Sequence, residues 1–386
     1  MKNQPLILRC ELGEGGVHAA LHATGRVLDC ERLINYIDDA VRNFRHISND
    51  KFISRIFMDN GNRDDVNFRI INTPMIAEDS LLSWLERMTG GKEGFCLSVN
   101  GLNTWSDSLE EYFYEAFTSH WQSLVGIPLG GFDIYAFMGK YNITPFGIHK
   151  DNEDSYLFHL GPGVKQAWVW DPRFIRVDDF IKSNPFSTEI TRDALYYELH
   201  PGDALFIPKN WFHVMKNDAF SITLGIAPYD VNASEFITSI VNREITSNTI
   251  FSDSFVFKGD VGNLSTSIID NVFLHKKVID IIDRKACELF LRHRSNRFFR
   301  YSSSNRIIRR ESKYRYYGEI LKSYSESEGA WALHCRGNTI YCNENPVWIE
   351  DFVRESKMHG LNLNDITGNN VHVDFLNKMV SFGVFV

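Results

Sequence analysis

His149 and Asp151 stand two residues apart in an Ile-His-Lys-Asp stretch, and His213 follows 64 residues later. In an extended segment, residues two apart project to the same side. The first two can therefore reach one ion from a single strand end. The third donor has to come from elsewhere in the fold. His213 is the best candidate, because it follows a turn and a strand-like run at 201–208. Two neutral imidazoles and one carboxylate on one face of an octahedron suit Fe(II), and they leave three positions for a chelating molecule and dioxygen. Zinc could use the same atoms, but a structural zinc site normally takes four protein ligands. A His-x-Asp pair alone is a weak signal, and a hydrogen-bonded His pair with no ion is the plain alternative. The β-rich context and the distal His after a Gly-Asp turn favour the metal.

The elements that must position these residues can be read from periodicity. From about Pro128 to Pro228 the chain offers short β-rich runs broken by Gly, Pro, Asn and Asp: 132–138, 155–160, 166–170, 194–199, 204–208 and 221–227. Regular short strands with turn signals between them argue for a sandwich or barrel. His200-Pro201-Gly202-Asp203 reads as a type II turn, with proline presetting one φ angle and Gly202 free to take a positive one.

Before this stretch the texture is mixed. Residues 31–44, 80–88 and 108–125 carry apolar residues at helical spacing, with strand-like pieces at 51–58 and 94–99. After Asp230 the spacing becomes helical again at 234–243, 265–277 and 278–292, followed by a polar, basic stretch at 295–310 that reads as a loop or linker. Residues 330–386 read as a small separate unit. Strands at 331–335 and 339–342 flank an Arg-Gly-Asn turn, helices follow at 346–356 and 373–380, and a closing strand is expected at 381–386. This order suggests a winged-helix-like module.

A chain of 386 residues exceeds the size of one ordinary core. We expect four regions: an N-terminal mixed region (1–125) packing on the core, a catalytic core (126–230), a helical, basic region (231–325) that is a candidate dimerisation element, and the C-terminal module (326–386). No apolar run approaches the roughly 20 residues of a membrane span, and the N-terminus lacks the apolar stretch of a secretory signal. The expected location is cytoplasmic. The six cysteines form no CxxC pair, and free thiols are expected.

The formal net charge of −8 argues against a generic polyanion binder. It is unevenly spread, however. Residues 283–322 hold twelve Lys/Arg against four Asp/Glu, so the remainder carries about −16. Aromatic residues are interleaved with these cations, a mixture that can bind nucleic acid, an acidic peptide or an acidic partner face. An ordinary solvated face packed on the acidic remainder is the plain alternative. Nucleic acid is not the expected substrate.

Ile148-His149-Lys150-Asp151, the run Gly161 to Trp170, the run Pro201 to Pro208 and Trp211-Phe212-His213 together resemble the JmjC family of oxygenases. The similarity is greatest to its asparaginyl-hydroxylase and bacterial ribosomal-protein oxygenase branches. The motif-bearing resemblance covers about residues 130–228. It implies an α+β chain with a double-stranded β-helix (cupin, jelly-roll) core and an iron site built by His149, Asp151 and His213. It also implies the cofactors Fe(II), 2-oxoglutarate as co-substrate, and O2. By family position Lys165 pairs with the far carboxylate of 2-oxoglutarate, although a solvated strand-end lysine is the plain alternative. The resemblance also implies that Ser155, Ser221 and Thr223 supply hydroxyls to the co-substrate, with Tyr135 a further candidate of that kind. Thr144-Pro145 departs from the asparaginyl pattern, because Phe146-Gly147 is inserted before His149.

The activity so implied is hydroxylation of a protein or peptide side chain, with decarboxylation of 2-oxoglutarate to succinate. A small-molecule or free amino acid hydroxylase and a non-catalytic metal-binding cupin stay open as alternatives. Hydroxylation at a carbon bonded to nitrogen would end in demethylation. A protein or peptide substrate and a homodimer are the expected partners.

Overall fold

The structure is a computed structural model that describes residues 6–8, 29–44, 54–58, 61–92, 94–119, 121, 126–173, 188–238, 272–301, 313–314, 316–325, 328–362 and 370–385. In chain order the main elements are β1 (Leu6–Leu8), α1 (Cys30–Arg42), β2 (Ser54–Met58), β3 (Gly61–Asn62), α2 (Asp64–Asn72), α3 (Leu81–Thr89), β4 (Phe95–Val99) and α4 (Asp107–Phe113). Then come β5 (Phe132–Tyr141), β6 (His149–Lys150), β7 (Ser155–Pro162), β8 (Lys165–Trp170), β9 (Leu195–Leu199), β10 (Ala204–Ile207) and β11 (Phe212–Pro228). The C-terminal part holds α5 (Val272–Ser295), β12 (Lys313–Tyr314), β13 (Ile320–Ser325), β14 (Ala330–Cys335), β15 (Asn338–Cys342), α6 (Trp348–His359), β16 (Leu361–Asn362) and α7 (Asn370–Ser381).

The core is a double-stranded β-helix, and β11 is its hinge strand. The C-terminal half of β11 lies between β7 and β5 in a large antiparallel sheet ordered β1-β10-β7-β11-β5-β4-β2-β3. Its N-terminal half pairs instead with β6 and β8, and β9 extends that smaller sheet. The strand changes sheets where its register breaks, between Asn217 and Ser221. A break of this kind frees backbone carbonyls that need new partners. The Asn217 amide supplies them, donating to Gly139 O at 2.6 Å and to Ala219 O at 3.1 Å.

Period-two alternation decides what each face of the large sheet holds. Ile134, Ala136 and Met138 of β5, with Ile222, Leu224 and Ile226 of β11, are buried against the N-terminal helices. Tyr135, Phe137 and Tyr141 point the other way, into the β-helix. Leu157, Val169, Leu205, Ile207 and Met215 fill the interior. The N-terminal helices share the outer core: α1 buries Leu33, Ile37, Ala40 and Val41 and is capped by Asp29, which accepts the Arg32 N–H. Strands β2 and β4 continue the large sheet past β5, so the N-terminal region adds a shelf beside the barrel mouth.

The turn before the distal histidine has the expected geometry. Gly202 takes φ +95°, and the Asp203 N–H donates to His200 O at 2.9 Å.

Several expectations need correction. The strand expected at 221–227 begins nine residues earlier, at Phe212, because its first half serves the other sheet. Helix α2 was not expected; its one strongly exposed apolar residue, Phe68, blurs the helical spacing. The helix expected at 108–125 is α-helical to Phe113 and passes through a π-helical turn over Tyr114–Thr118, while residues 120 and 122–125 lie outside the described residues. The two helices expected at 265–277 and 278–292 are one, α5, beginning at Val272. Residues 265–271 lie outside the described residues, as do 239–243 of the helix expected at 234–243, which is helical over 233–238.

The stretch read as a linker from residue 295 starts instead as a buried strap. Phe298 and Phe299 are 5% and 1% exposed, and the strap hydrogen-bonds β5 on both sides of Phe132. Residues 302–310 lie outside the described residues. In the C-terminal unit, β13, β14 and β15 form an antiparallel sheet with its own core against α6 and α7. The closing strand expected at 381–386 is absent: α7 runs through Ser381, and the end is held by a single bridge from Phe385 to Tyr316. Among the described residues no helix is long and apolar enough to cross a membrane.

Candidate metal centre and cavity

Strand pairing brings the two histidines together. His149 of β6 lies directly opposite His213 of β11, so both imidazoles leave the small sheet on one face with ring centroids 4.2 Å apart. Asp151 follows His149 by the two-residue period. Its carboxylate lies 4.0 Å from His149 Nε2 and 3.6 Å from His213 Nε2. One donor atom from each of the three lies within 4.8 Å of the others.

The donor set fits a divalent ion. His149 Nδ1 faces Gly147 O at 3.0 Å, and His213 Nδ1 faces Trp211 O at 3.3 Å. A carbonyl only accepts, so in the neutral ring each Nδ1 carries the hydrogen and each Nε2 presents a bare lone pair. Partners of this kind behind metal-binding histidines fix the tautomer and the ring direction. Burial, then the neighbouring His149, pushes the His213 pKa down to about 3, so this ring is a neutral ligand at ordinary pH. Donors about 2.1 Å from one ion sit roughly 3 Å apart when adjacent, and the two separations between the Asp151 carboxylate and the imidazoles are within about an ångström of that.

Ser155, the first residue of β7, hydrogen-bonds both Asp151 and Tyr135. It therefore orients the carboxylate from behind. Burial raises the Asp151 pKa; His149 and Ser155 oppose this, and Glu153 adds to it. The Tyr135 ring packs against Gly225 of β11, where a Cβ would come within 2.3 Å of it. Only glycine admits the tyrosine there.

A cavity of about 360 Å³ opens beside the three donors. Tyr135, Phe137, Tyr141, Leu157 and Met215 line its inner part, and Arg55, Ser98, Asn100, Phe146, Glu153 and Tyr229 are also in its wall. The Lys165 ammonium donates to Tyr141 Oη at 2.7 Å from behind that wall. Lys165 is 1% exposed, and no carboxylate pairs with it among the described residues. Burial pushes its pKa down to about 8. An ammonium has no acceptor capacity, so the Tyr141 proton stays available to the cavity.

Ser221 and Thr223, expected at the co-substrate, do not line the cavity. Thr223 Oγ1 meets His159 Nδ1 at 3.3 Å, and the Nε2 of that histidine donates to Gly163 O. Burial, then Lys165, lowers the His159 pKa to about 4, so it adds no second charge beside the lysine. Ser221 is 1% exposed, and its hydroxyl has no partner among the described residues. Thr144 is committed to backbone: its hydroxyl bonds Met215 O and N at 2.9 and 2.6 Å and ties the loop before His149 to β11.

No family model matches the chain, and no curated protein does. Among solved structures, the Escherichia coli ribosomal oxygenase YcfD in complex with cobalt and succinic acid is similar at 14% identity and TM-score 0.49, over 99% of this chain and 94% of that one. The same protein with cobalt and 2-oxoglutarate aligns at 13% identity and TM-score 0.46, over the same shares. Streptomyces albus HEPD with 2-hydroxyethylphosphonate and Fe(II) aligns over 33% of this chain and 25% of that one, at 11% identity and TM-score 0.20. At such values the fold rests on the strand order described above.

Tyr141, Asn100, Glu153 and Tyr229 were not singled out by the sequence. Tyr141 was within reach: it continues the inward series Tyr135, Phe137, Gly139 by two more residues, past the point where the strand was expected to end. The other three come from the ends of β4 and β11 and from the loop after Asp151, and only the fold gathers them.

Proposed function

We propose that this protein is an Fe(II)- and 2-oxoglutarate-dependent oxygenase that hydroxylates a protein or peptide side chain. The observation that carries the reading is Lys165. A fully buried ammonium without a carboxylate is costly, and here it stands behind the wall of the cavity that holds the three metal donors. A ligand that chelates a metal at one end and carries a carboxylate at the other satisfies both features.

In this reading His149, Asp151 and His213 hold the metal. Tyr141 and Lys165 receive the far carboxylate, one as hydroxyl donor and the other as buried charge. Ser155 keeps Asp151 turned toward the histidines, while Phe137, Leu157 and Met215 exclude water from the inner cavity. When bound, Fe(II), 2-oxoglutarate and O2 supply the oxidation, with succinate and carbon dioxide as co-products and a hydroxylated C–H bond as the outcome. The Asp151 side chain is 39% exposed, so the reacting position is reachable from outside the fold. This favours a side chain presented by a larger substrate over an enclosed small molecule.

The test is succinate release from 2-oxoglutarate with Fe(II), ascorbate and oxygen. It is paired with mass mapping of cell proteins for +16 Da shifts that depend on the protein. Tight zinc binding with no turnover, coupled or uncoupled, would overturn the reading.

A further inference from the structure

Residues 296–301 run from the end of α5 along the start of β5 and reach the wall of the cavity from behind. The Phe132 N–H donates to Phe298 O at 2.8 Å, and the Arg300 N–H donates to Phe132 O at 2.7 Å. Two glycines let this strap come so close. A Cβ at Gly131 would stand 2.8 Å from Phe298 O, and one at Gly101 would stand 2.9 Å from the Tyr301 ring. The backbone of Arg300 is thus fixed by β5. Its guanidinium is exposed but donates to the Tyr301 hydroxyl, which limits its directions.

From that position the guanidinium sits 4.2 Å from the ring centroid of Tyr229. Tyr229 lines the cavity, and its hydroxyl donates to Glu153, two residues beyond Asp151. Backbone contacts tie the rest of this loop to the turn before His213. The Asn210 N–H donates to Asp151 O at 2.7 Å, and the Lys209 N–H donates to Asp154 Oδ1 at 2.8 Å. Tyr229 holds the side of the loop that faces the cavity. Asp151 is the donor that such a hold affects most. Sheet register fixes both histidines, whereas the Asp151 side chain lies in the loop and is 39% exposed, against 23% and 7% for theirs.

We infer that Arg300 is a positioning residue of the metal centre: it holds Tyr229 against Glu153 and thereby steadies the Asp151 arm of the site. The strap of the C-terminal region then completes a centre whose donors all lie in the β-helix. Charge alone would act in the opposite direction. A cation near the site repels a divalent ion, so deleting it would tighten binding; deleting a positioning contact weakens it. The inference takes its donor set from the oxygenase reading, but its test needs no turnover.

Co(II) is titrated into the full-length protein, and affinity and band shape are read from the visible spectrum. Arg300→Met should weaken binding about tenfold, the lower end of the range for residues that support a ligand. Tyr229→Phe, which keeps the ring and loses the hydrogen bond to Glu153, should do the same. Arg300→Lys keeps a cation over the ring and should recover most of the affinity. Added to Tyr229→Phe, Arg300→Met should cost less than about twofold more, because the contact it acts through is already gone. The Co(II) bands should change shape in Arg300→Met and Tyr229→Phe and return in Arg300→Lys, a signature that lost stability alone does not give. Unchanged or tighter Co(II) binding by Arg300→Met overturns the inference, as does full additivity in the double variant. No Co(II) binding by the unsubstituted protein overturns the donor set itself, and the oxygenase reading with it.

Discussion

His149 and His213 are directly opposed residues of two antiparallel strands, and each ring is held at Nδ1 by the carbonyl two residues before it. The sheet register sets their separation, and the local backbone sets their tautomer. Asp151 is the freer partner, because its side chain is 39% exposed and is steadied mainly by Ser155.

That difference predicts graded metal loss. His213→Ala and Asp151→Ala should each abolish turnover and weaken Co(II) binding by more than about a hundredfold, beyond the range for a residue that only supports a ligand, read from the visible spectrum of the cobalt protein. Ser155→Ala should keep the ligand set and cost about tenfold to a hundredfold in affinity, the usual size for a residue that supports a ligand. Full activity in either ligand variant would refute the assignment.

Lys165 makes a prediction of opposite sign for stability and for binding. Lys165→Met replaces a buried, unpaired charge with an apolar side chain of similar length. Without co-substrate the variant should be at least as stable as the unsubstituted protein, since the desolvation cost disappears. The melting-temperature rise that millimolar 2-oxoglutarate gives the unsubstituted protein should vanish, because ligand stabilisation follows affinity. A variant that still gains stability from 2-oxoglutarate would show that Lys165 is not its anchor.

The metal donors were legible in the sequence because two of them share one strand period and the third follows a turn with its own signature at Gly202. Lys165 was legible only through family position; its burial and lack of a carboxylate are properties of the packed interior. The basic segment was legible as composition, but the partners of its cations were not. Arg294 pairs with Glu319, Arg297 with Glu111, and Arg300 lies over Tyr229, so these three cations have partners inside the chain. Such pairings join residues up to 186 positions apart, and no local periodicity encodes them.

Stability should fall on mild acidification, and His159 is a main cause. Its pKa drops from 6.5 to about 4 in the fold. Between those values the unfolded chain binds a proton on this imidazole that the folded protein does not, so protons favour unfolding as the pH falls. The effect is on the order of 3 kcal/mol when the window is fully crossed. His293, also lowered to about 4, acts in the same direction. Asp133, raised to about 6 by burial, opposes them, because the folded protein gains its proton first. Urea midpoints should therefore drop between pH 7.5 and pH 5. His159→Gln should flatten the dependence and Asp133→Asn should steepen it; an unchanged slope in both would contradict the account.

Arg336 supplies the last prediction. It sits at the tip of the β14–β15 hairpin with no exposure, paired with the equally buried Glu110 of α4 and, at 3.3 Å, with Asp107. The Arg336 N–H also reaches Ser295 O, at the end of α5. The hairpin is thereby tied to helices of two other regions. Arg336→Ala leaves Glu110 as a buried carboxylate without its cation and should cost about 3–5 kcal/mol in urea unfolding. Replacing both partners, Arg336→Met with Glu110→Met, removes the stranded charge and should recover most of the loss. If the double variant were as unstable as the single one, the hairpin would be held by packing and backbone contacts, and the ion pair would be incidental to its docking.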